Sequence, residues 1–369
     1  MRASASLAKT TLVLLAISLP LRGAALELIV WTSYKNHPPF VLPKRANESR
    51  EAAVRRYVQG LASHSELAKY TKGYRNFPVG QFSKLPQGGK DARSLLVIND
   101  TEDLKPGYLI NTFYDPAKKA RGKPFAVPLA ADVGLTKPEK RELAKILDRE
   151  FPHFIHMGGG DINPAIYKEK NTHSISVQPR RDEFEVMLLE KKIKTINSGG
   201  RADRITGVCR ASQLTSALCG YKVGQDVPTF VKDNVGHGPN VPTSEGGQPS
   251  HEANLKQTRY PFIKDWLGQD RLKVNTYHHQ YVQWKEGGPL ELAAVADDGV
   301  PEALISKDGR IKLFQFHPEL MVQSTSPELQ AAGKKIMDEI MAPAPPKTYT
   351  RACGLVNGLR SLAAESSRK

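Results

Sequence analysis

Short apolar runs alternate with helical patterns in the middle of the chain, and this alternation restricts the fold more than any other feature. Ser94–Asn99, Pro124–Leu129 and Phe154–Met157 are apolar runs of the length that buried strands have. Lys137–Phe151 and Arg180–Thr195 place apolar residues at helical spacing. Strands that alternate with helices favour a mainly parallel sheet with helices on both faces. The active site of such a sheet lies at the carboxyl ends of its strands.

The alternation continues to a closing helix over Pro327–Met341. Further strands are predicted over Arg204–Val208, Leu272–Asn275, Leu292–Val295, Ala303–Ile305 and Ile311–Phe316, and further helices over Arg50–Leu61 and Arg210–Gly220. Tyr74–Lys90 has weak periodicity and is predicted to be a linker. The Gly- and Pro-rich stretch Asn234–Pro249 predicts a surface loop.

Basic residues are concentrated at the two ends of the chain. The 369 residues contain 53 Lys and Arg against 38 Asp and Glu, a formal charge of +15. We predict a signal peptide in residues 1–25, a basic N-terminal extension in 26–90, the α/β domain in 91–341, and a Pro-rich linker with a basic tail in 342–369. The basic ends could dock on an anionic surface, although a solvated basic surface is the simpler interpretation. Because no nucleic-acid motif accompanies the charge, we expect no nucleic-acid partner.

The first 25 residues are typical of a secretory signal. Arg2 and Lys9 supply the positive region, Thr10–Leu21 the apolar region, and residues 23–25 (GAA) the small residues of a cleavage site. The apolar region is too short to span a bilayer, which takes about 20 residues. We therefore expect an exported protein, periplasmic or secreted. An uncleaved anchor or a buried strand is the alternative.

Cys209 lies between a predicted strand and a predicted helix, in the run Gly207-Val208-Cys209-Arg210-Ala211. A nucleophile on a tight strand-to-helix turn is exposed at the sheet edge. The nearby helix N-terminus favours the thiolate, and the backbone N–H of Arg210 would point at a developing oxyanion. A buried core thiol is the alternative interpretation.

His317 and Glu319 follow a late predicted strand, in the run Phe316-His317-Pro318-Glu319. A thiol nucleophile needs a base, and the base needs a group that orients it. His317 could take the proton of the thiol, and Glu319 could orient the imidazole. These two residues therefore complete a candidate catalytic triad with Cys209.

Five segments together resemble the gamma-glutamyl hydrolase and gamma-glutamyl-gamma-aminobutyrate hydrolase branch of the class I glutamine amidotransferase superfamily. In the order of the family they are Gly158–Tyr167, Arg181–Glu185, Gly207–Gln213, Val274–Gln280 and Gln315–Glu319. The resemblance implies a flavodoxin-like three-layer α/β/α sandwich with a mainly parallel sheet. It also implies hydrolysis of a gamma-glutamyl amide through a thioester, with a small gamma-glutamyl compound as substrate. We expect no cofactor and no bound metal.

The resemblance assigns roles residue by residue. Cys209 matches the nucleophile, His317 the general base and Glu319 the residue that orients the base. Gly159 and the backbone N–H of Arg210 match the oxyanion hole, with the preceding glycine as the alternative in the three-glycine run. The residues that match positions near the substrate are Gln213, His278 and His279. Structural hydrogen bonding is an equal alternative for the two histidines.

Two residues depart from the pattern of the family. Ala211 stands where the elbow usually has Gly, and Phe316 stands where the branch commonly has Trp. Neither change removes a chemical group from the mechanism. The alternatives are an inactive binding protein on the same fold and an amidotransferase subunit that passes ammonia to a synthetase. The identity of the amine that is released stays open.

The chain has three Cys, too few for a disulfide scaffold. Cys219 and Cys353 could form a disulfide in an oxidising compartment, or both could be buried free thiols.

Overall fold

A twelve-stranded sheet forms the middle layer of the molecule. The computed structural model describes residues 26–32, 39–63, 81–98, 112–113, 115–119, 121–129, 131–199, 202–237 and 250–343. Its strands are β1 (Leu26–Thr32), β2 (Phe40–Arg45), β3 (Gln81–Lys84), β4 (Arg93–Ile98), β5 (Lys123–Pro128), β6 (His153–His156), β7 (Arg204–Val208), β8 (Lys222–Gly224), β9 (His251–Leu255), β10 (Arg271–Val274), β11 (Tyr281–Gln283), β12 (Leu290–Ala296), β13 (Pro301–Ser306) and β14 (Ile311–Phe314). Strands β8 and β11 form a separate two-stranded sheet.

The centre of the large sheet is parallel and its flanks are antiparallel. The strand order is β10-β9-β12-β13-β14-β7-β6-β4-β5-β2-β1-β3. Neighbouring strands from β14 to β2 pair in parallel. Within this centre, β5-β4-β6-β7-β14 has the order 2-1-3-4-5 of flavodoxin-like sheets. The flavodoxin-like fold predicted from the sequence is therefore confirmed. The antiparallel flanks are additions that were not predicted from the sequence.

Helices cover both faces of the sheet. They are α1 (Arg50–Ser63), α2 (Asp115–Lys119), α3 (Lys137–Glu150), α4 (Pro179–Ser198), α5 (Arg210–Leu218), α6 (Val227–Phe230), α7 (Phe262–Leu267), α8 (Pro318–Met321) and α9 (Pro327–Met341). Strand β4 shows the two faces, because successive side chains of a strand point to opposite sides. Leu95 and Val97 belong to the core that contains Leu143 of α3, whereas Leu96 belongs to the core that contains Ile336 of α9. The layers are thus helix, sheet and helix.

The N-terminal strands extend the large sheet. Strand β2 pairs with β5 in parallel, and β1 pairs with β2 and β3 in antiparallel. The prediction of a linker over Tyr74–Lys90 is therefore wrong for Gln81–Lys84, which is strand β3. This strand has four residues, of which three are polar, so it carries no apolar run from which a strand could be predicted. The position of the boundary near residue 90 stays a prediction.

Helix α3 begins at the predicted residue because Thr136 and Glu139 form a capping box. The Glu139 N–H donates to Thr136 Oγ1, and the Thr136 N–H donates to Glu139 Oε2 (2.8 Å). Arg45 of β2 donates from Nε to Glu139 Oε1 (2.6 Å), which joins β2 to the start of the helix. The hydrogen bond from Arg45 lowers the pKa of Glu139 to about 2.

Several predictions concern residues outside the described part of the chain. These are the signal peptide in residues 1–25, most of the loop in 234–249, and almost all of the tail in 342–369. Within the described residues, no helix is long and apolar enough to cross a membrane.

Candidate active site

Cys209 lies on the turn between β7 and α5, as the sequence predicts. Its backbone has a positive φ of 51° with ψ −111°, a conformation that is uncommon for residues other than Gly and is found at functional sites. The Cys209 N–H donates to the carbonyl oxygen of Phe314 (2.7 Å), which fixes the turn against β14. The thiol is free and buried. The turn therefore holds this side chain at the carboxyl end of a central parallel strand.

Gly207 allows the turn to be this tight. A Cβ at this position would lie 2.9 Å from the carbonyl oxygen of Ala211 and 3.0 Å from Leu313 Cδ2. Strand β7 and helix α5 therefore approach each other more closely than a side chain at Gly207 would permit. Ala211 is itself fully buried, so the departure from the usual Gly is accommodated within this packing.

His317 and Glu319 form a buried pair next to Cys209. His317 follows β14 and Glu319 lies in α8, with His317 Nδ1 and Glu319 Oε1 2.7 Å apart. Burial alone would lower the pKa of His317, but the charges of Glu319 and Cys209 outweigh it and hold this pKa well above its usual range. Because Nδ1 faces Glu319, Nε2 is the nitrogen that can exchange a proton with Cys209. The structure brings the three predicted residues together.

The three-glycine run lies against the candidate triad. A Cβ at Gly158 would be 2.8 Å from His317 Cε1 and 3.2 Å from Cys209 Cβ, so only glycine fits between these residues. Gly159 has φ 147°, which also favours glycine. The Gly158 carbonyl accepts a hydrogen bond from Arg181 Nη2 (2.7 Å). Because the two groups of a trans peptide point in opposite directions, the Gly159 N–H points away from Arg181.

A buried ionic cluster, which we call the arginine cluster, lies behind Cys209 and the glycine run. It consists of Arg181, Asp182 and Glu185 of α4 and Arg210 of α5. The Arg210 guanidinium pairs with the carboxylates of Asp182 and Glu185, and all three side chains are fully buried. Burial and the charge of Arg181 lower the pKa of Arg210 to about 9, whereas burial raises the pKa of Asp182.

The arginine cluster connects the elbow to the glycine run. Arg210 follows Cys209 directly, and Arg181 donates to the carbonyl oxygens of Met157 (3.2 Å) and Gly158 (2.7 Å). The cluster thereby links the Arg210 N–H and the Gly158–Gly159 peptide, the two groups predicted to form the oxyanion hole. Their function in an oxyanion hole stays a prediction.

Asn275 and Tyr277 hold His317 from the other side. Asn275 accepts the His317 N–H at Oδ1 (2.9 Å) and donates from Nδ2 to the His317 carbonyl (3.0 Å). The Tyr277 ring meets the His317 ring edge to face, with centroids 5.5 Å apart. Both residues belong to the stretch 275–280, which we call the bridging segment.

His278 of the bridging segment points into a second buried cluster. This histidine cluster consists of His237, His251, His278 and Glu302. His278 Nε2 lies 3.3 Å from His237 Nδ1 and 3.5 Å from Glu302 Oε1. Burial would raise the pKa of Glu302, but its contacts with the three histidines lower it well below its usual range. The predicted contact of His278 with substrate stays a prediction.

His279 connects the bridging segment to Asp161, which directly follows the glycine run. Its Nε2 lies 2.9 Å from Oδ2 of Asp161, and its Nδ1 lies 3.1 Å from Oδ1 of Asp226. The hydrogen bond to Asp161 raises the pKa of His279 despite partial burial. Asp161 also accepts the Ile175 N–H (2.7 Å). The imidazole of His279 thus bridges two carboxylates beside the site, and its predicted contact with substrate stays a prediction.

Gln213 lies one helical turn after Cys209, as predicted. Its Nε2 donates to the Gln280 carbonyl (3.1 Å) and to Oε1 of Gln315 (3.3 Å). These bonds join α5 to the bridging segment and to the end of β14. A contact between Gln213 and substrate stays a prediction.

Several residues that support the site were not predicted from the sequence. Asn275 and Tyr277 lie within a segment quoted for the resemblance, so their position was available from the sequence although their contacts were not. His237, His251 and Glu302 had no such signal, because they come from separate segments that meet only in the folded chain.

Cys219, at the end of α5, is disulfide-bonded. A disulfide with Cys353 was one of the two predicted alternatives, and Cys353 lies outside the described residues. The oxidised state is one of the two alternatives that the sequence left open.

Two curated relatives match less than half of the chain. A glutamine amidotransferase-like protein of Lactococcus lactis, YvdE, is 30% identical over 166 residues, which are 44% of this chain and 63% of the relative. A protein of Schizosaccharomyces pombe that is named as a glutamine amidotransferase is 28% identical over 167 residues, 45% of this chain and 60% of the relative. Each match spans less than two thirds of the relative's own length.

Solved structures are similar to the chain at low identity. A glutamine amidotransferase of Thermotoga maritima has a TM-score of 0.41 at 13% identity and covers 76% of this chain and 100% of its own. A glutamine amidotransferase of Methylobacillus flagellatus has a TM-score of 0.42 at 13% identity and covers 71% of this chain and 98% of its own.

A model of one protein family matches residues 92–319, which are more than half of the chain and include Cys209, His317 and Glu319. The family is described as Peptidase C26. The extent of this match shows that the protein belongs to the Peptidase C26 family.

Proposed function

We propose that the protein is a cysteine hydrolase that cleaves gamma-glutamyl amides. This proposal rests on the position of Cys209, on a strained turn, next to the pair of His317 and Glu319. In that pair, His317 Nδ1 and Glu319 Oε1 are 2.7 Å apart. A thiol, a base and an orienting carboxylate are the groups that nucleophilic cleavage of an amide requires. The resemblance of five segments to the gamma-glutamyl hydrolase branch supports the choice of substrate.

The reaction begins with the Cys209 thiolate and the His317 imidazolium. Glu319 stabilises the imidazolium through its contact with Nδ1, and this stabilisation raises the pKa of His317. The thiolate attacks the gamma-carbonyl carbon, and the carbonyl oxygen becomes an oxyanion. The oxyanion then re-forms the carbonyl while the carbon–nitrogen bond breaks, and His317 gives its Nε2 proton to the departing amine. A glutamyl thioester on Cys209 remains.

Water completes the cycle. His317, now neutral, takes a proton from water, and the oxygen attacks the thioester carbon. The carbon–sulfur bond breaks, glutamate leaves, and the thiolate–imidazolium pair is restored. The proton that His317 gives to the amine is therefore replaced by one from water within the same turnover.

The proposed oxyanion hole consists of the N–H groups of Gly159 and Arg210. The Arg210 N–H lies at the start of α5, directly after Cys209. The Gly159 N–H is directed away from Arg181 by the hydrogen bond on the Gly158 carbonyl. Donors that are fixed before the reaction stabilise developing charge without reorganisation, and the arginine cluster supports both of them.

The proposal is tested with a pair of isomeric substrates, gamma-glutamyl and alpha-glutamyl para-nitroanilide. We expect the wild-type chain to release para-nitroaniline from the gamma isomer without any synthetase or ATP. Cys209→Ala is the matched variant, and its circular dichroism spectrum shows whether the fold is kept. Equal cleavage of the two isomers, or cleavage by a folded Cys209→Ala variant, would contradict the proposal.

We also propose that the protein is exported. The support is the sequence of residues 1–25, with a basic start, a short apolar run and a small-residue end. Intact mass of the chain recovered from the host compartment tests this proposal. A mature N-terminus near Leu26 is expected, and an uncleaved cytosolic chain would contradict export.

A further inference from the structure

The histidine cluster brings nitrogen and oxygen atoms together at the spacing of metal ligands. Glu302 Oε1 lies 3.0 Å from His251 Nε2, 3.3 Å from His237 Nδ1 and 3.5 Å from His278 Nε2. Ligands about 2.0–2.1 Å from a tetrahedral Zn²⁺ are separated from one another by about 3.4 Å. The atoms of His237, His251 and Glu302 all lie within 4.8 Å of one another, and the three residues are buried.

The second nitrogen of each imidazole is oriented by an oxygen. His237 Nε2 lies 2.8 Å from Oδ2 of Asp298, and His278 Nδ1 lies 2.9 Å from the Gln280 carbonyl. His251 Nδ1 lies 3.4 Å from Ser250 Oγ. His237 and His278 therefore have the arrangement of metal-binding histidines, in which an outer carboxylate or carbonyl fixes the tautomer and the direction of the ring.

The hydrogen bond to the Gln280 carbonyl determines the tautomer of His278. A carbonyl oxygen only accepts, so Nδ1 carries the proton. His278 Nε2 points toward His237 and Glu302, and it would offer a lone pair to a bound cation. This lone pair is available to a cation that lies among the three other groups.

We propose that His237, His251, His278 and Glu302 bind one Zn²⁺ ion. Imidazole nitrogens and a carboxylate oxygen are ligands that Zn²⁺ takes in proteins. The charges of Glu302 and the outer Asp298 balance the two charges of the ion. This inference differs from our expectation of no metal, and it depends on the geometry of the cluster and not on the proposed activity.

The ion would have a structural function. Four protein ligands close the coordination sphere, as in structural zinc sites. The ligand His278 belongs to the bridging segment, which holds the His317 backbone through Asn275 and the His317 ring through Tyr277. Binding of the ion would therefore fix the segment that positions the base of the candidate triad.

The test is the metal content of the full chain after purification without chelators and incubation with ZnCl₂ followed by desalting. We expect about one equivalent of zinc per chain by inductively coupled plasma mass spectrometry, and less than about one tenth of that in His237→Gln and His251→Gln. His173→Gln is the control, because His173 is exposed and lies outside the cluster. Zinc content of this control equal to that of the wild type is expected.

Two readouts keep the test independent of how well the variants fold. Co²⁺ added to the metal-free wild type should produce the intense visible absorption of a tetrahedral site. Removal of zinc by a chelator should lower the midpoint of thermal unfolding, and added ZnCl₂ should restore it. Zinc below one tenth of an equivalent in the wild type, with no Co²⁺ absorption, would overturn the proposal and leave the cluster as a proton-sharing network.

Discussion

The Cys209 side and the His317 side of the site rest on buried polar clusters of different kinds. The arginine cluster pairs one arginine of α4 and one arginine of α5 with two carboxylates of α4. The histidine cluster gathers three imidazoles around one carboxylate and reaches His317 through the bridging segment. The first cluster therefore acts through residues next to the nucleophile, and the second acts through an intermediate segment.

Because of this difference, we expect the two clusters to affect different catalytic groups. Arg210 is adjacent to Cys209 in the chain, so its displacement would move the nucleophile and an oxyanion donor together. The histidine cluster lies farther from the reacting atoms, and its loss would loosen the base while the nucleophilic elbow stays in place. The following substitutions test this contrast, from the largest expected effect to the smallest.

Arg210→Met removes the charge that holds the Cys209 side. The carboxylates of Asp182 and Glu185 would stay buried after losing the charge of Arg210, and broken buried pairs cost roughly 3–5 kcal/mol of unfolding free energy. Urea denaturation measures the loss. Arg271→Met is the control, because Arg271 pairs with Glu252 and Asp297 at the exposed surface, where a much smaller loss is expected. Similar losses in the two variants would contradict the contrast.

Glu319→Gln removes the charge that holds the His317 side. The amide cannot stabilise the imidazolium, so the pKa of His317 should fall. Because cleavage needs the protonated ring to supply the leaving amine, the alkaline limb of kcat/KM should move to lower pH. We expect a loss of about 100-fold in kcat/KM at neutral pH. An unchanged pH profile would show that Glu319 does not act on His317.

Gly207→Ala tests the packing of the elbow without changing any charge. The added methyl group would lie 2.9 Å from the Ala211 carbonyl oxygen, and overpacking of this kind costs about 1–3 kcal/mol. Thermal unfolding measures the cost. Gly88→Ala is the control, because a Cβ at Gly88 meets no atom within 4 Å. If the two variants unfold alike, the close approach of β7 and α5 has no energetic consequence.

Glu139→Gln tests a pair that lies outside both clusters. The pKa of Glu139 is lowered to about 2 from 4.5, so its contribution to stability is complete above the unfolded value and is lost as pH falls toward 2. We expect the variant to lose about 1 kcal/mol at pH 7, the size of a helix-capping contribution, and only a small part of that at pH 2. A loss that does not depend on pH would rule out the ionised pair with Arg45.

The sequence predicted the parallel centre of the fold and the three residues of the candidate triad. In β4, residues 94–97 are buried and their side chains alternate between the two faces of the sheet, so this strand appears as an apolar run. The short polar strand Gln81–Lys84 pairs at an edge and has no such pattern. Cys209, His317 and Glu319 lie in local runs that can be compared with a family, and their proximity follows from the carboxyl ends of β7 and β14.

The arginine cluster and the histidine cluster were less predictable from the sequence than the candidate triad. Arg181–Glu185 was visible as a motif, but its contact with Arg210 depends on the packing of α4 against α5. His237, His251 and Glu302 are separated along the chain and have no shared spacing. Their convergence depends on the antiparallel flank of β9, β12 and β13, whose pairing the alternation of strands and helices did not indicate.

The proposed function requires that Cys209 is a reactive thiol and that the site around it accepts a glutamyl group. The most direct measurement is intact-mass spectrometry after exposure of the folded, reduced chain to 6-diazo-5-oxo-norleucine, an electrophilic analogue of glutamine. We expect one adduct per chain, which is absent from Cys209→Ala and forms more slowly when glutamate is added. Absence of an adduct on the folded wild type, or an adduct that persists in Cys209→Ala, would contradict this claim.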